Sequence, residues 1–145
     1  MDLIIWRHAD AEDGAPDLER RLTKKGRKQA ERVADWLRKR LPADYELVSS
    51  PAARARETAE ALGSKIRIDD ALAPGASSAS IVKAARWPHG DKTVVIVGHQ
   101  PDLGRALAHI VAGKQTEWRL QKGALWWLES GEPPLVKAAI SADLL

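Results

Sequence analysis

The chain contains no cysteine. Disulfides, thiolate metal sites and a cysteine nucleophile are therefore excluded from its chemistry. No apolar run approaches the roughly 18 residues of a membrane-spanning helix. The opening residues, MDLIIWRHAD, have neither the basic start nor the small-residue cleavage site of a secretory signal. Together these absences lead us to expect a cytoplasmic protein with no membrane partner. There is no internal repeat, no low-complexity tract and no linker long enough to divide the chain. No close pair of histidines or carboxylates has metal-ligand spacing, so no metal is expected. What is there is 145 residues, 44% hydrophobic and 30% charged, with a net charge of +3. That composition and length suit one globular domain over residues 1–145 with a core of its own.

The positive charge is local. From Leu18 to Arg40 there are ten Lys or Arg against three Asp or Glu. Such a run is ordinarily a solvated helix face; its functional reading is a dock for an acidic partner. Apart from Trp36, no aromatic residue interleaves with these cations, so a nucleic-acid partner is not expected.

Strand and helix signals alternate along the chain, the pattern of an α/β domain. Asp2–Trp6 is short and apolar, like a buried central strand. Thr23 is placed to cap a helix whose inner face is Ala30, Val33, Ala34, Leu37 and Leu41, with Pro42 as its stop. Tyr45–Val48 reads as a second strand. Ser50-Pro51 reads as an N-cap and first helical residue, for a helix to about Leu62. Lys65–Ile68 is a short strand. Ser78 is a candidate cap for a helix through Arg86. "TVVIV" is a strand broken at Gly98, and Pro101 opens a helix with Leu103, Leu107, Ile110 and Val111 on one face. Ala124–Leu128 and Leu135–Ile140 are late strands joined by a short turn and so antiparallel. The expected fold is a three-layer α/β/α sandwich around a mostly parallel mixed sheet. The six tryptophans, two of them adjacent at Trp126-Trp127, fall in apolar patterns and read as packing residues.

Three strand ends share one design. The first strand runs into Arg7-His8. The second runs into Ser49-Ser50-Pro51, with Arg54 in the first turn of the next helix. "TVVIV" runs into Gly98-His99, just ahead of another helix. In open α/β sheets ligands sit beyond the carboxyl ends of the strands. If these strands are parallel neighbours, Arg7, His8, Arg54 and His99 meet at one edge, two of them beside helix N-termini that favour an anion. Arginine's planar fork suits a tetrahedral oxyanion such as phosphate. Neutral imidazole is a nucleophile near neutral pH. One histidine is thus a candidate to attack phosphorus while the other and the arginines stabilise charge. A lone histidine after a strand is ordinarily a structural loop residue. His89 and His109 are read that way.

The segments "RHA", "RRLTKKGRKQA", "SSPAARARETAE" and "VIVGHQPDLG", in this order and spacing, resemble the histidine phosphatase superfamily, with its phosphoglycerate mutase-like fold. The short chain, with "LTKKG" close behind "RHA", looks most like the compact SixA branch of phosphohistidine phosphatases. The resemblance implies that His8 is a transiently phosphorylated nucleophile. It implies that Arg7 and Arg54 bind the phosphoryl oxygens and that His99 contributes charge or a hydrogen bond. Arg20 would be a further anion contact, with Arg21 its competitor. No cofactor is implied, and mutase activity is not expected of so short a chain.

Two departures stand out. Ala9 occupies the place of a signature glycine, so an ordinary negative φ is expected there. Larger relatives also carry a glutamate as general acid after the second arginine. Only 44 residues separate Arg54 from His99, and the loop "DDALAPGASSAS" has no glutamate. Asp69, Asp70, Asp10 and Glu12 are the candidate proton donors. Phosphohistidine needs such a donor less than an ester does. The reading is therefore a phosphohistidine phosphatase acting on a phosphorylated protein, as a monomer. The alternatives are a phosphatase of small phosphorylated metabolites and a non-catalytic phosphate- or phosphoprotein-binding module.

Overall fold

A computed structural model describes residues 1–145. Six strands form one sheet: β1 (Asp2–Arg7), β2 (Tyr45–Ser49), β3 (Ile66–Ile68), β4 (Thr93–Gly98), β5 (Leu125–Glu129) and β6 (Leu135–Ile140). Four helices accompany them: α1 (Lys24–Arg38), α2 (Ala53–Glu60), α3 (Ser78–Ala84) and α4 (Asp102–Ala112). The strand order is β3-β2-β4-β1-β5-β6. β1 to β4 pair in parallel, and β5 and β6 run antiparallel at one end, as the short connection between them requires. No helix is long and apolar enough to cross a membrane.

The two-residue period of a strand divides the core into two layers. Ile4, Trp6, Leu47, Val95 and Val97 pack with Ala30, Val33, Ala34 and Leu37 of α1 and Ala55 and Ala59 of α2. Leu3, Ile5, Val48, Val94 and Ile96 face the other way, onto Ile81 and Ala84 of α3 and Leu103, Ala106 and Leu107 of α4. With both faces covered, the central strands are apolar throughout, which is why they read as continuous hydrophobic runs. The result is the expected three-layer sandwich. The tryptophans pack as expected. Trp6 is fully buried and donates its indole hydrogen to the Gly123 carbonyl at 3.0 Å. Trp36 meets Trp127 edge-on, and Trp118 packs on Trp126.

Most strands differ from the sequence reading by one residue at an end, and four other differences concern the helices. Ser50 is not a helix N-cap. Its N–H donates to the Val97 carbonyl at 3.0 Å, so the residue still belongs to the sheet and α2 starts only at Ala53. Ser77, rather than Ser78, caps α3, accepting the Ser80 N–H at 3.1 Å. That helix ends at Ala84, short of Arg86, whose φ of 56° leaves the right-handed helical region. Leu41 packs beyond the end of α1, which finishes at Arg38.

Candidate active site

The parallel run β2-β4-β1 brings the three strand ends together. Arg7 pairs with Gly98 in the ladder, and the His8 N–H donates to the Gly98 carbonyl at 3.0 Å. His8 and His99 follow directly, with ring centroids 5.2 Å apart and planes inclined by 53°. Arg54 lies in the first turn of α2, as expected. His8, His99 and Arg54 are 7%, 3% and 4% exposed, so the site floor is largely shielded from bulk solvent.

Hydrogen-bond geometry fixes the state of His8. Its Nδ1 stands 2.7 Å from the Ala9 carbonyl oxygen, which can only accept. Nδ1 therefore carries the proton, and the lone pair is on Nε2. Burial pushes the ring's pKa down to about 4; the Ala9 bond works against this, and the charges of Arg54, Arg7 and Arg20 add to it. Burial pushes His99 down to about 3, with His8 and Arg54 adding and Asp17 opposing. Near neutral pH both rings are uncharged among fixed cations.

The two arginines hold the walls. Arg7 donates to the Leu120 carbonyl at 2.8 Å. Arg54 donates to the backbone carbonyl and the carboxylate of Asp17, at 2.8 and 3.1 Å. Three buried side-chain nitrogens have no hydrogen-bond partner in the protein: Arg7 Nε, Arg54 Nε and His99 Nδ1. Buried donors are ordinarily satisfied, so three such atoms on neighbouring residues mark a place for an acceptor-rich group.

The signature segments acquire physical reasons in the fold. The backbone around His8 is clamped from four sides. Gly123 N–H donates to the His8 carbonyl at 3.1 Å, and Ala9 N–H donates to Thr58 Oγ at 3.0 Å. Asp10 N–H donates to Gln29 Oε1 at 2.9 Å, and Thr23 Oγ donates to the Asp10 carboxylate at 2.7 Å. Thr23 also caps α1, accepting the Gly26 N–H at 2.9 Å, a contact worth about 1 kcal/mol. A Cβ on Gly26 would lie 2.0 Å from the Asp10 carbonyl oxygen, so only glycine lets α1 approach this closely. In "LTKKGRKQA", then, Thr23, Gly26 and Gln29 serve the loop that carries His8. Ala9 has a negative φ, as expected, and is fully buried.

Arg20 and Arg21 separate clearly. Arg20 donates to Asp17 and to the Glu12 carbonyl at 3.1 and 3.0 Å, and its charge acts on His8. Arg21 turns away to Glu57, at 2.8 Å. None of the four candidate proton donors is arranged as a free acid at the site. Asp10 is held well below the usual carboxylate range by its hydrogen bonds from Lys122 and Thr23. Asp69 accepts from Ala71 N–H and pairs with Arg67 at 2.7 Å, and Asp70 and Glu12 have exposed side chains. Asp17, which sequence reasoning did not select, borders the site instead. Slight burial draws its pKa up, and the bonds from Arg54 and Arg20 outweigh this and hold it low. Ser50 was also missed as a site residue; its hydroxyl lies 2.7 Å from His99 Nε2.

The comparisons with known proteins agree with this fold. Residues 3–74 match the family model of the histidine phosphatase superfamily, branch 1. An uncharacterized protein of a Picosynechococcus strain is 38% identical over 144 residues, covering 90% of this chain and 86% of its own. The phosphohistidine phosphatase SixA of Escherichia coli K12 is 28% identical, covering 79% of this chain and 76% of its own. The structure of a protein histidine phosphatase SixA complexed with tungstate superposes with a TM-score of 0.85 at 25% identity, over 99% of each chain. With its fold, its motif order and the meeting of its strand ends all in agreement, the chain belongs to the histidine phosphatase superfamily.

Proposed function

We propose that this protein is a phosphohistidine phosphatase acting on phosphorylated proteins, with His8 as nucleophile. One observation carries the reading: a buried imidazole whose Nδ1–H is held by the Ala9 carbonyl, leaving Nε2 unprotonated beside two arginines and a second histidine. Nε2 of His8 attacks phosphorus, forming one N–P bond as the substrate's N–P bond breaks. When the second ring nitrogen of the substrate histidine carries a proton, the leaving group departs as neutral imidazole and needs no acid. Water then attacks phospho-His8, releasing inorganic phosphate and a proton and restoring the neutral ring. Arg7 and Arg54 bind the equatorial oxygens, where charge accumulates. Arg20 supports them at the rim, and His99 adds a hydrogen bond.

The carboxylates support the choice of substrate. An alkoxide leaving group would need protonation, and Asp10 and Asp17, the carboxylates bordering the site, are both held ionised. The similar SixA structure bears tungstate, a tetrahedral oxyanion of phosphate's shape. A protein substrate also fits the surface. Lys24, Lys25, Lys28, Gln29 and Arg32 of α1, with one acid, Asp143, line a groove of about 430 Å³, and the α1 cap Thr23 bonds to the Asp10 carboxylate.

The test compares turnover of a phosphohistidine peptide with that of p-nitrophenyl phosphate and of small phosphorylated metabolites. It also includes mass-spectrometric trapping of phosphate on His8. Preference for the peptide, with the label on His8, is expected. Preference for a metabolite ester would move the substrate to the small-molecule class. Binding with no turnover and no label would leave only a phosphate-binding module.

A further inference from the structure

We propose that Ser50 is a positioning residue that sets the tautomer of His99, so that this ring presents an N–H rather than a lone pair to the bound phosphoryl group. The proposal rests on the phosphatase reading for its kinetic consequence, and on hydrogen-bond counting for the rest.

Ser50 is fully buried. Its Oγ accepts the Ala52 N–H at 3.2 Å and stands 2.7 Å from His99 Nε2. A hydroxyl has one hydrogen to give. With Ala52 already donating to the oxygen, that hydrogen goes to the one nearby acceptor, the Nε2 lone pair. The opposite arrangement has Nε2–H donating to Oγ. The serine hydrogen and the Nδ1 lone pair would then both lack a partner, whereas the first arrangement leaves only Nδ1–H open, and two unmet groups are the costlier alternative. Nε2 is thus an acceptor, and the proton of the neutral ring is on Nδ1.

That assignment explains one of the three unpartnered buried nitrogens. His99 Nδ1 has no acceptor in the protein. With Nε2 occupied by Ser50, Nδ1–H is the only ring hydrogen His99 can offer. Phosphoryl oxygens are acceptors only. A lone pair at Nδ1 would repel them, and an N–H satisfies them. The same serine that was read from the sequence as a helix cap is therefore kept off the helix for this purpose. Its own N–H stays in the sheet, and its Oγ takes the Ala52 N–H, which α2 would otherwise leave unpaired at its start.

The experiment uses the full chain with ¹⁵N-labelled histidine, and the Ser50→Ala and Ser50→Thr variants. Two-bond ¹H–¹⁵N correlation reads which ring nitrogen of His99 is protonated, with no substrate present. We expect the Nδ1–H form in the natural protein and in Ser50→Thr, which keeps the hydroxyl, and an Nε2–H form or a mixture in Ser50→Ala. Turnover of the phosphohistidine peptide by Ser50→Ala should show kcat lower by about ten-fold, the loss of one aligned hydrogen bond in the transition state, with KM nearly unchanged. Ser50→Thr should recover most of it. The proposal is overturned if the natural protein holds His99 as Nε2–H, or if Ser50→Ala keeps the Nδ1–H form. The natural-protein spectrum decides the matter even if Ser50→Ala does not fold. Phosphate trapped on Ser50 rather than His8 would also overturn it. Absence of turnover in the natural protein would count against the phosphatase reading alone, since the tautomer is read independently.

Discussion

Acidification provides a direct test of His8 as the proposed nucleophile. An imidazole with the ordinary pKa of about 6.5 is roughly 3% neutral at pH 5. His8 is buried among arginines and titrates at about 4, so roughly nine-tenths of it is neutral at that pH. The displacement corresponds to about 3 kcal/mol of preference for the uncharged ring, at about 1.4 kcal/mol per pH unit. The sign follows from the cause: dry surroundings and neighbouring cations both oppose the imidazolium, so the competent form persists as pH falls and is lost only on passing through about 4. Between pH 7 and 5 the fraction of competent His8 in the free enzyme should change by less than about two-fold, where an unperturbed ring would lose about 25-fold. Histidine ring NMR titration of the free enzyme reads the midpoint directly. The pH profile of kcat/KM on an acid-stable aryl phosphate, corrected for the substrate's own ionisation, reads it kinetically. A His8 midpoint near 6.5, or an acid limb of kcat/KM centred there after that correction, would refute the reasoning.

Three further outcomes follow from the geometry. Charge reversal at Lys24, Lys25 and Lys28 should raise KM for a phosphoprotein several-fold, most strongly at low salt, and leave turnover of p-nitrophenyl phosphate unchanged; an unmoved KM means that α1 presents only a solvated face. Gly26→Ala places a Cβ where the Asp10 carbonyl stands. It should cost about 2–4 kcal/mol in denaturant titration, and a loss under about 0.5 kcal/mol would contradict the close approach of α1. Asp17→Asn removes a carboxylate from the rim, where it accepts from Arg54 and Arg20. Because Asp17 is more than half exposed the gain is screened, and inhibition by inorganic phosphate should tighten by about two- to five-fold. Weaker inhibition would show instead that Asp17 serves to hold Arg54 in place.

Much of the site was legible because its residues are anomalies in their own segments. Arg7, His8 and His99 interrupt apolar runs where burial should continue, and interruptions of one design at several strand ends point to a shared ligand. Arg54 sits early in a helix whose other inward positions, Ala55 and Ala59, are small. Ser50 was misread because serine before proline is a strong local cap signal, and local chemistry does not reveal that the Ser50 backbone is still engaged by β4. Gly26, Gln29 and Thr58 were visible only as parts of a pattern; their work on the His8 loop depends on contacts across the fold. Arg20 is preferred to Arg21 only by its place in the motif; what draws Arg21 away is Glu57, a contact across the fold. The wall built by Leu120, Lys122 and Gly123 gave no signal at all. It lies more than 110 residues from Arg7 and Asp10, in a stretch without regular periodicity.

The separation of the two histidines has a consequence for how such a protein changes. Both rings hang from the residue that follows a strand, and β1 and β4 are ladder neighbours. Adjacent strands stand about 4.8 Å apart, close to the 5.2 Å between the imidazoles. The gap is thus scaled by main-chain pairing, with the Ala9 carbonyl and the Ser50 hydroxyl holding each ring at its end. Lineages can rewrite the loop at 69–77 to admit a different guest while this spacing stays put, whereas 12–22 and 114–123 carry the Asp17, Leu120 and Gly123 contacts that hold Arg54, Arg7 and His8.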